Sequence, residues 1–317
     1  METKSGIINT YIIPVLNNYE GLYRLLETLE KYTSPNYQVI VIDNGVRLKK
    51  EESDLEYIEM ARRFKQIALW IEPYRNLGFG KAMNTGIKLA TTEFITCAND
   101  DVEIMYEGWW DEVMNLFASN PKLAGLNPHS PCNKMHTGER VLEYEYKREY
   151  NVDDIKKIKE FFKGQKWYVG CCTYFTIFKK SLFDEIGYFD ESFGQGSGED
   201  YDLCIRAARA DKLIVGSSNV IVFHWWGKTK DNMPVEEGGY SNANYDLIAK
   251  GNQRLTEKWG AHCQEVERQL KDGRMTEEQA KAINNGWSVC GTGGASEPLD
   301  KDKVNYKNNQ WYQIMLL

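Results

Sequence analysis

The chain has 317 residues, of which 42% are hydrophobic and 27% charged, a composition typical of a globular protein with a sizeable core. A formal net charge of −7 excludes a general electrostatic attraction to nucleic acid or to an anionic membrane surface. Since the sequence has no apolar stretch of about 18 residues and no signal-peptide pattern, it predicts a soluble, cytoplasmic protein without a membrane span.

The first part of the chain predicts alternating strands and helices. Apolar, β-branched runs indicate buried strands, and leucines at helical spacing indicate a helix that Asn17 and Asn18 are suited to cap. In chain order the predicted elements are a strand over 6–15, a helix over 19–32, a strand over 37–42, a helix over 47–66 and a strand over 68–71. This order is that of an α/β unit, and the second strand ends in Asp43, a carboxylate at the sheet edge.

A glycine-rich segment, residues 75–86, follows the third strand. Gly78 and Gly80 allow the backbone to approach a ligand closely, and Lys81 could meet a phosphate at the start of the next helix, which runs to about residue 89. The segment has neither the Walker pattern nor the dinucleotide-binding pattern of glycines. The glycines alone predict no more than a turn.

A strand over 93–97 leads into the acidic stretch Asn99, Asp100 and Asp101. Carboxylates at the C-terminal end of such a strand lie where open α/β sheets bind ligands. Hard oxygen donors there suit Mg²⁺ or Mn²⁺, which complete their coordination with water and with substrate phosphates. Taken alone, the cluster is also typical of a solvated turn.

The second part of the chain carries another acidic cluster and a late histidine. Its predicted elements are helices over 107–119, 152–162 and 181–186, a strand over 167–178, a helix from 199 to about 210, a strand over 213–223, and helices over 242–271 and 276–284. A loop with three glycines precedes Glu199, Asp200 and Asp202, and Arg206 is spaced to pair with Asp202. His224 follows the strand, where it would suit a ligand or phosphate contact.

Taken in order, these segments resemble the family 2 glycosyltransferases of the GT-A fold, and the likeness covers about residues 6–228. The motifs that carry it are Ile13 to Asn17, Val41 to Gly45, Asn76 to Gly86, Asn99 to Val102, Phe189 to Arg206, and His224. The resemblance implies an α/β fold with a Rossmann-like, mixed but mainly parallel sheet flanked by helices. It places a GT-A domain at 1–230, with a nucleotide-sugar half at about 1–104 and an acceptor half at about 105–230, before a mostly helical extension at 231–317.

The resemblance also implies an inverting transferase that uses a nucleotide-diphosphate sugar, expected to be a UDP- or dTDP-sugar, with Mn²⁺ or Mg²⁺. Asp200 matches the catalytic base, with Glu199 as the fallback, and Asp101 and His224 match the metal or diphosphate ligands. Asn99 stands where the family often has an aspartate. The residues expected to contact the nucleotide sugar are Pro14, Asn17, Asp43, Asn44, Arg75, Asn76, Gly78, Lys81, Asn84, Asn99 and Asp100.

Other functions stay open on the sequence. A nucleotidyltransferase would need a basic phosphate-binding loop near the N-terminus, and residues 14–19 supply none. A catalytically silent nucleotide-sugar-binding module is a second alternative. The acceptor could be a glycan, a lipid-linked or a small molecule, or else a protein or a modified nucleic-acid base if the lysines of 156–166 form a groove rather than a solvated helix face. Extensions in this family bind acceptors or form homodimers, and residues 231–317 do not decide between the two.

Overall fold

In the computed structural model of the chain, the described residues are 6–45, 48–131, 151–162, 166–168, 174–194, 196–225, 250, 251, 253–255 and 257–259. Their strands are β1 (Asn9–Val15), β2 (Tyr37–Asp43), β3 (Ile67–Ile71), β4 (Phe94–Ala98), β5 (Val102–Ile104), β6 (Leu123–His129), β7 (Lys166–Tyr168), β8 (Phe175–Lys179) and β9 (Leu213–His224). Their helices are α1 (Tyr19–Tyr32), α2 (Glu52–Ala61), α3 (Phe79–Leu89), α4 (Trp109–Ser119), α5 (Val152–Phe162), α6 (Ser181–Ile186) and α7 (Glu199–Arg209), with a 3₁₀ turn at Glu191–Phe193.

Within these ranges the strands form one mixed, mainly parallel sheet in the order β3-β2-β1-β4-β8-β6-β9-β5, with β7 paired to β9. The first four strands of that order are parallel to one another, and β8 enters antiparallel between β4 and β6. Helices cover both faces. This architecture confirms the predicted α/β class, and the parallel half is the part that the alternating strands and helices predicted.

Helix α1 follows from capping and from the spacing of its leucines. The Asn18 side chain accepts a hydrogen bond from the Gly21 N–H at 3.3 Å, which satisfies a donor at the helix start. One stripe of the helix is fully buried in the core that also contains α4, and its members are Leu22, Leu25, Leu26 and Leu29. The opposite face carries charged residues, so packing on the sheet rather than intrinsic propensity stabilises the helix.

Helix α3 packs on the other face of the sheet, against Ile12 of β1. A Cβ atom on Gly86 would lie 2.4 Å from Ile12 Cγ2, closer than real Cβ atoms approach a neighbour. Glycine is therefore needed here for close packing of the helix on the strand. This packing fixes the position of the start of α3 relative to the sheet. Gly78, directly before the helix, adopts a φ of 72°.

Four details differ from the sequence prediction. The single strand predicted over 167–178 is replaced by two, β7 and β8, which pair with different partners and are separated by residues outside the described ranges. The helix predicted over 47–66 spans only 52–61. The sequence analysis also missed β5 and β6, because β5 has three residues and β6 contains a glycine and a proline, so neither has a clear alternating pattern.

Two further expectations concern the chain beyond β9. Of the helix predicted over 242–271, the described residues between 250 and 259 are helical, and the rest of it and the helix over 276–284 lie outside the described residues. The domain boundary near 230 stays a prediction. No described helix combines the length and apolarity that crossing a bilayer requires.

We predict that Gly86→Ala lowers the free energy of unfolding. Alanine favours a helix by up to about 1 kcal/mol over glycine, but overpacking a buried site costs about 1–3 kcal/mol, and Ile12 has little rotamer freedom to yield. Urea unfolding followed by circular dichroism measures the difference. Thr85→Ala on the same helix, where the side chain is half-exposed, should leave stability unchanged or raise it, and a Gly86→Ala protein as stable as wild type would contradict the packing argument.

Candidate active site

The parallel pairing of three strands brings the predicted acidic residues to one edge of the sheet. Strand β1 lies between β2 and β4, with Val15 opposite Asp43 and Ile12 opposite Cys97. All three strands run in the same direction, so the residues that follow them lie at the same carboxyl edge. Ligands bind at this edge in open α/β sheets.

Asp43 is buried at this edge and is held by two hydrogen bonds to the same oxygen. The Tyr19 hydroxyl donates to Oδ1 at 2.7 Å and the Gly45 N–H donates to Oδ1 at 3.1 Å. Burial raises the pKa of Asp43 above its usual range, while the Tyr19 hydrogen bond and the nearby Lys50 ammonium lower it. Both hydrogen bonds are to Oδ1, and the contact of Asp43 with the nucleotide stays a prediction.

Asn44 joins the end of β2 to the glycine-rich turn before α3. Its Oδ1 accepts the Leu77 N–H at 3.2 Å, and its Nδ2 lies 3.5 Å from the Gly78 carbonyl. The Asn76 side chain also caps this turn, accepting the Gly78 N–H at 2.8 Å. Two of the residues expected to contact the nucleotide thus shape the backbone of the turn.

Asp100 and Asn18 join the end of β4 to the start of α1. Asn18 Nδ2 lies 3.3 Å from Asp100 Oδ1, and both residues are largely shielded from solvent. The Asn99 N–H donates to the Tyr174 carbonyl at 2.8 Å. The loop after β4 is therefore tied on one side to α1 and on the other to the residue that precedes β8.

Asp101 and His224 meet although 123 positions separate them in the sequence. Strand β5 pairs antiparallel with β9, with Val102 opposite His224, and His224 Nε2 lies 3.2 Å from Asp101 Oδ1. The Trp225 N–H donates to the Asp101 carbonyl at 2.9 Å. The Tyr174 ring stacks on the imidazole with centroids 4.2 Å apart, so backbone and ring contacts fix the orientation of both side chains.

A carboxylate and an imidazole pointing at one spot form a donor set that suits Mn²⁺ and, less strongly, Mg²⁺. Among the described residues, no group of three or more His, Cys, Asp or Glu side chains is placed to hold a metal. Two protein ligands are nonetheless what such ions need when substrate phosphates and water complete the shell. The pair fits a metal–diphosphate site and does not fit a closed, all-protein metal site.

The second acidic cluster, at the start of α7, lies against the start of α3. A Cβ on Gly80 would lie 3.4 Å from Glu199 Cγ, and a Cβ on Gly196 would lie 3.8 Å from Glu199 Oε1. The Phe79 and Phe189 rings pack edge to face, 6.0 Å apart. The tertiary structure therefore joins the predicted nucleotide segment to the predicted base cluster. Glu199 is buried, and Asp200 beside it is partly exposed.

Two polar residues of α3 are directed to the loop before α7. Asn84 is buried, and its amide exchanges two hydrogen bonds with the Phe189 backbone, at 2.9 and 3.0 Å, and donates to Glu191 at 3.0 Å. Lys81 lies 3.9 Å from Glu191 and is exposed. Asn84 thus serves first to join α3 to this loop, and its contact with the nucleotide stays a prediction.

The remaining residues predicted to contact the nucleotide sugar lie at the same edge of the sheet, and fewer contacts define their positions. Pro14 and Asn17 are half-buried at the end of β1, and Arg75 is exposed in the turn after β3. Their roles stay predictions.

Comparison with known proteins supplies the family. The model for "Glycosyl transferase family 2" matches residues 10–187, more than half of the chain. The chain belongs to this family. A curated relative, the pre-mycofactocin glycosyltransferase of Mycobacterium tuberculosis, is 27% identical over 216 residues, which are 68% of this chain and 42% of that protein. The chain thus spans less than half the length of that relative.

Solved structures agree on the fold of this glycosyltransferase. GalNAc-T7, in a complex with UDP, GalNAc and Mn²⁺, aligns with a TM-score of 0.57 at 13% identity, over 90% of this chain and 55% of that one. The mannosyltransferase PcManGT from Pyrobaculum calidifontis, in complex with GDP-Man and Mn²⁺, aligns with a TM-score of 0.52 at 14% identity, over 87% and 68%. At these identities the likeness establishes the GT-A fold alone.

The sequence analysis missed three aromatic residues that contact the predicted site residues or their neighbours. It did not single out Tyr19, Tyr174 or Trp225, whose hydroxyl, ring and N–H groups contact Asp43, His224 and Glu103 in turn. Glu103 accepts the Trp225 Nε1–H at 2.7 Å, and burial raises its pKa to about 7 against the lowering by that bond. Tyr19 and Trp225 could have been found from the sequence, because Tyr19 directly follows Asn18, a predicted helix cap, and Trp225 directly follows His224, a predicted ligand.

We predict that Tyr19→Phe destabilises the protein more at high pH than at low pH. Asp43 loses its strongest donor, which costs about 1–3 kcal/mol for a buried group, and the lost bond had favoured the ionised form. The folded-state pKa of Asp43 already exceeds the unfolded value of about 3.9, so this residue's contribution to stability falls as pH rises from that value through the folded pKa. Removing the bond raises the folded-state pKa of Asp43 further, so its contribution to stability continues to fall up to a higher pH.

Urea unfolding across pH measures this difference between wild type and Tyr19→Phe. Asp43→Asn has no carboxylate to titrate, so adding Tyr19→Phe to it should give a loss that does not vary with pH. An equal loss at all pH values in the otherwise wild-type background would show that the Tyr19 bond does not favour the ionised carboxylate.

Proposed function

We propose that this protein is an inverting, divalent-metal-dependent glycosyltransferase that moves a sugar from a nucleotide-diphosphate donor to an acceptor hydroxyl. The observation that carries the proposal is the pair formed by Asp101 and His224, whose Oδ1 and Nε2 atoms lie 3.2 Å apart at the edge that also holds Asp43. A buried carboxylate paired with a histidine at the ligand-binding edge of a sheet is a candidate functional pair.

On the donor side, Oδ2 of Asp43 accepts a hydrogen bond from the base or ribose, and the glycine-rich turn lets the backbone at Gly78 and Gly80 approach the nucleotide. Asp101 and His224 would hold the metal ion. When bound, Mn²⁺ or Mg²⁺ stabilises the negative charge of the departing nucleoside diphosphate. Two similar solved structures contain Mn²⁺, one with GDP-Man and the other with UDP and GalNAc, which supports a divalent metal and a nucleotide-sugar donor in this proposal.

On the acceptor side, Asp200 takes the proton from the acceptor hydroxyl. The acceptor oxygen forms a bond to the anomeric carbon, the bond from that carbon to the diphosphate oxygen breaks, and the electron pair leaves with the nucleoside diphosphate. Asp200 is favoured over Glu199 because it is partly exposed, whereas Glu199 is buried against Gly80. A general base must lie within reach of the acceptor hydroxyl, and inversion requires the base on the face opposite to the leaving group.

The acceptor is a glycan, a lipid-linked or a small molecule in this proposal. A nucleic-acid acceptor is disfavoured by the pairing of the helix that carries the lysine run. Lys159 contacts both oxygens of Glu112 at 2.5 and 2.7 Å, and Lys156 lies 4.0 Å from Asp153. Because these two lysines of α5 are paired with carboxylates, the helix has less positive charge with which to bind the phosphates of a nucleic acid.

We predict that a panel of UDP-, dTDP- and GDP-sugars contains one donor whose binding depends on Mn²⁺, and that Asp101→Ala and His224→Ala weaken that binding. Loss of one of two protein ligands should cost at least roughly tenfold in affinity, since even partners behind a metal ligand are worth roughly 10–100-fold. Isothermal titration with and without Mn²⁺ or a chelator measures this effect. Asp111→Ala removes an exposed carboxylate from α4 and should bind donor as wild type does; absence of metal-dependent binding to every donor would favour a different ligand class.

We predict that Asp200→Asn binds that donor normally but hydrolyses it about 10²- to 10⁴-fold more slowly, the contribution typical of a general base. Hydrolysis with water as the acceptor is followed by release of the nucleoside diphosphate. Asp111→Asn is the matched control, because Asp111 and Asp200 both lie in the first turn of a helix. If Glu199→Gln abolishes turnover and Asp200→Asn does not, Glu199 is the base. A wild type that binds the donor without any turnover would show a silent binding module.

A further inference from the structure

The acidic loop, defined as residues 190–194 and 196–198, leads into the start of α7, where Glu199 and Asp200 lie. It has little regular structure of its own: Gly194, Gly196 and Gly198 have positive φ, and so does Ser197 at 84°. A non-glycine residue in that region costs about 1–3 kcal/mol and persists only when its surroundings hold it. Something outside the loop must therefore hold it in place.

The C-terminal helical segment, defined as residues 250, 251, 253–255 and 257–259, lies against this loop. A Cβ on Gly251 would lie 2.2 Å from the Ser197 carbonyl oxygen, so the two backbones touch. Arg254 Nε donates to Ser192 Oγ at 3.0 Å. Leu255 is buried at 1% exposure. The segment thus contacts the loop along its length.

Lys258 joins the two ends of the loop. Its Nζ lies 2.8 Å from Asp190 Oδ2, at the loop start, and 2.7 Å from Asp202 Oδ1, in the first turn of α7. The Trp259 Nε1–H donates to the same Asp202 oxygen at 3.0 Å, and Arg206 Nε donates to the other at 2.9 Å. Asp202 is fully buried, so its charge depends on these donors.

The charge on Asp190 depends on the same lysine. Partial burial raises the pKa of Asp190, but hydrogen bonds from Lys258 and Ser192 outweigh it and hold the pKa well below the usual range. Asp190 is therefore ionised at neutral pH, and the bridge contains a cation between two carboxylates. Charge-assisted hydrogen bonds of this kind are stronger than neutral ones.

We propose that Lys258 is a positioning residue for the transfer reaction: by joining Asp190 to Asp202 it fixes the start of α7, and with it Glu199 and Asp200, against α3. The inference rests on the proposed function of Asp200 and adds part of the C-terminal extension to the site. Loss of the bridge leaves Asp202 buried with one fewer donor and frees the loop. Because Asp101, His224 and Asp43 lie on other elements, we expect loss of the bridge to affect donor binding less than turnover.

The test compares Lys258→Met, Lys258→Arg and, as the matched control, Lys250→Met at the exposed start of the same segment. With the Mn²⁺-dependent donor from the panel, Lys258→Met should hydrolyse that donor about 10²-fold more slowly, the loss typical of a catalytic group misplaced by about 1 Å. Its donor Kd should stay near the wild-type value. Lys258→Arg should recover most of the rate, and Lys250→Met should behave as wild type.

Hydrogen exchange on the full chain, without donor, tests the bridge independently of the reaction. Peptides covering residues 190–206 should exchange faster in Lys258→Met and at the wild-type rate in Lys250→Met. Faster exchange with an unchanged hydrolysis rate would overturn the positioning role, and unchanged exchange would overturn the bridge itself. A wild type that neither binds nor hydrolyses any donor would instead count against the proposed function, while the exchange result would still decide whether Lys258 holds the loop.

Discussion

The site depends first on the pairing of β1 between β2 and β4. Because these three strands are parallel and in register, their carboxyl ends lie at one edge, with Asp43 at the end of β2 and Asp101 just after β4. Each strand is buried on both faces by helices, as parallel sheets require. The packing of α3 on Ile12 through Gly86 is part of the same constraint, because it sets where the glycine-rich turn lies relative to that edge.

The other half of the sheet contributes the histidine that pairs with Asp101. Strand β9 is 12 residues long and pairs with β5, β6 and β7. Its end places His224 beside Asp101, and Tyr174, at the start of β8, stacks on the imidazole. Ring stacking and the contact between the two side chains thus orient Asp101 and His224.

The acidic loop and the start of α7 are held mainly by side chains that lie outside the loop. Their glycines allow the chain to turn sharply beside α3, but the same glycines leave the loop with few internal hydrogen bonds. Side chains outside the loop hold it and the residues before it: Asn84 binds the Phe189 backbone and Glu191, Arg206 of α7 donates to the carbonyls of residues 186–188, and Lys258 bridges Asp190 and Asp202. These side chains, which lie outside the loop, thus limit its freedom to move.

The sequence by itself determined the fold class, the family and the chemical types gathered at the site. Alternating hydrophobic runs predicted β1 to β4 and α1 to α4, since such patterns are local, and six short motifs in order indicated a glycosyltransferase. Local patterns did not predict β5 or β6, nor the division of 167–178 into two strands, because those strands are defined by their partners rather than by their own residues. Tertiary structure alone decided that Asp101 meets His224, that Asn84 joins α3 to the acidic loop, and that Lys258 reaches Asp202. Each of these contacts joins residues more than 50 positions apart, and no periodicity in a single sequence encodes a distance across the fold.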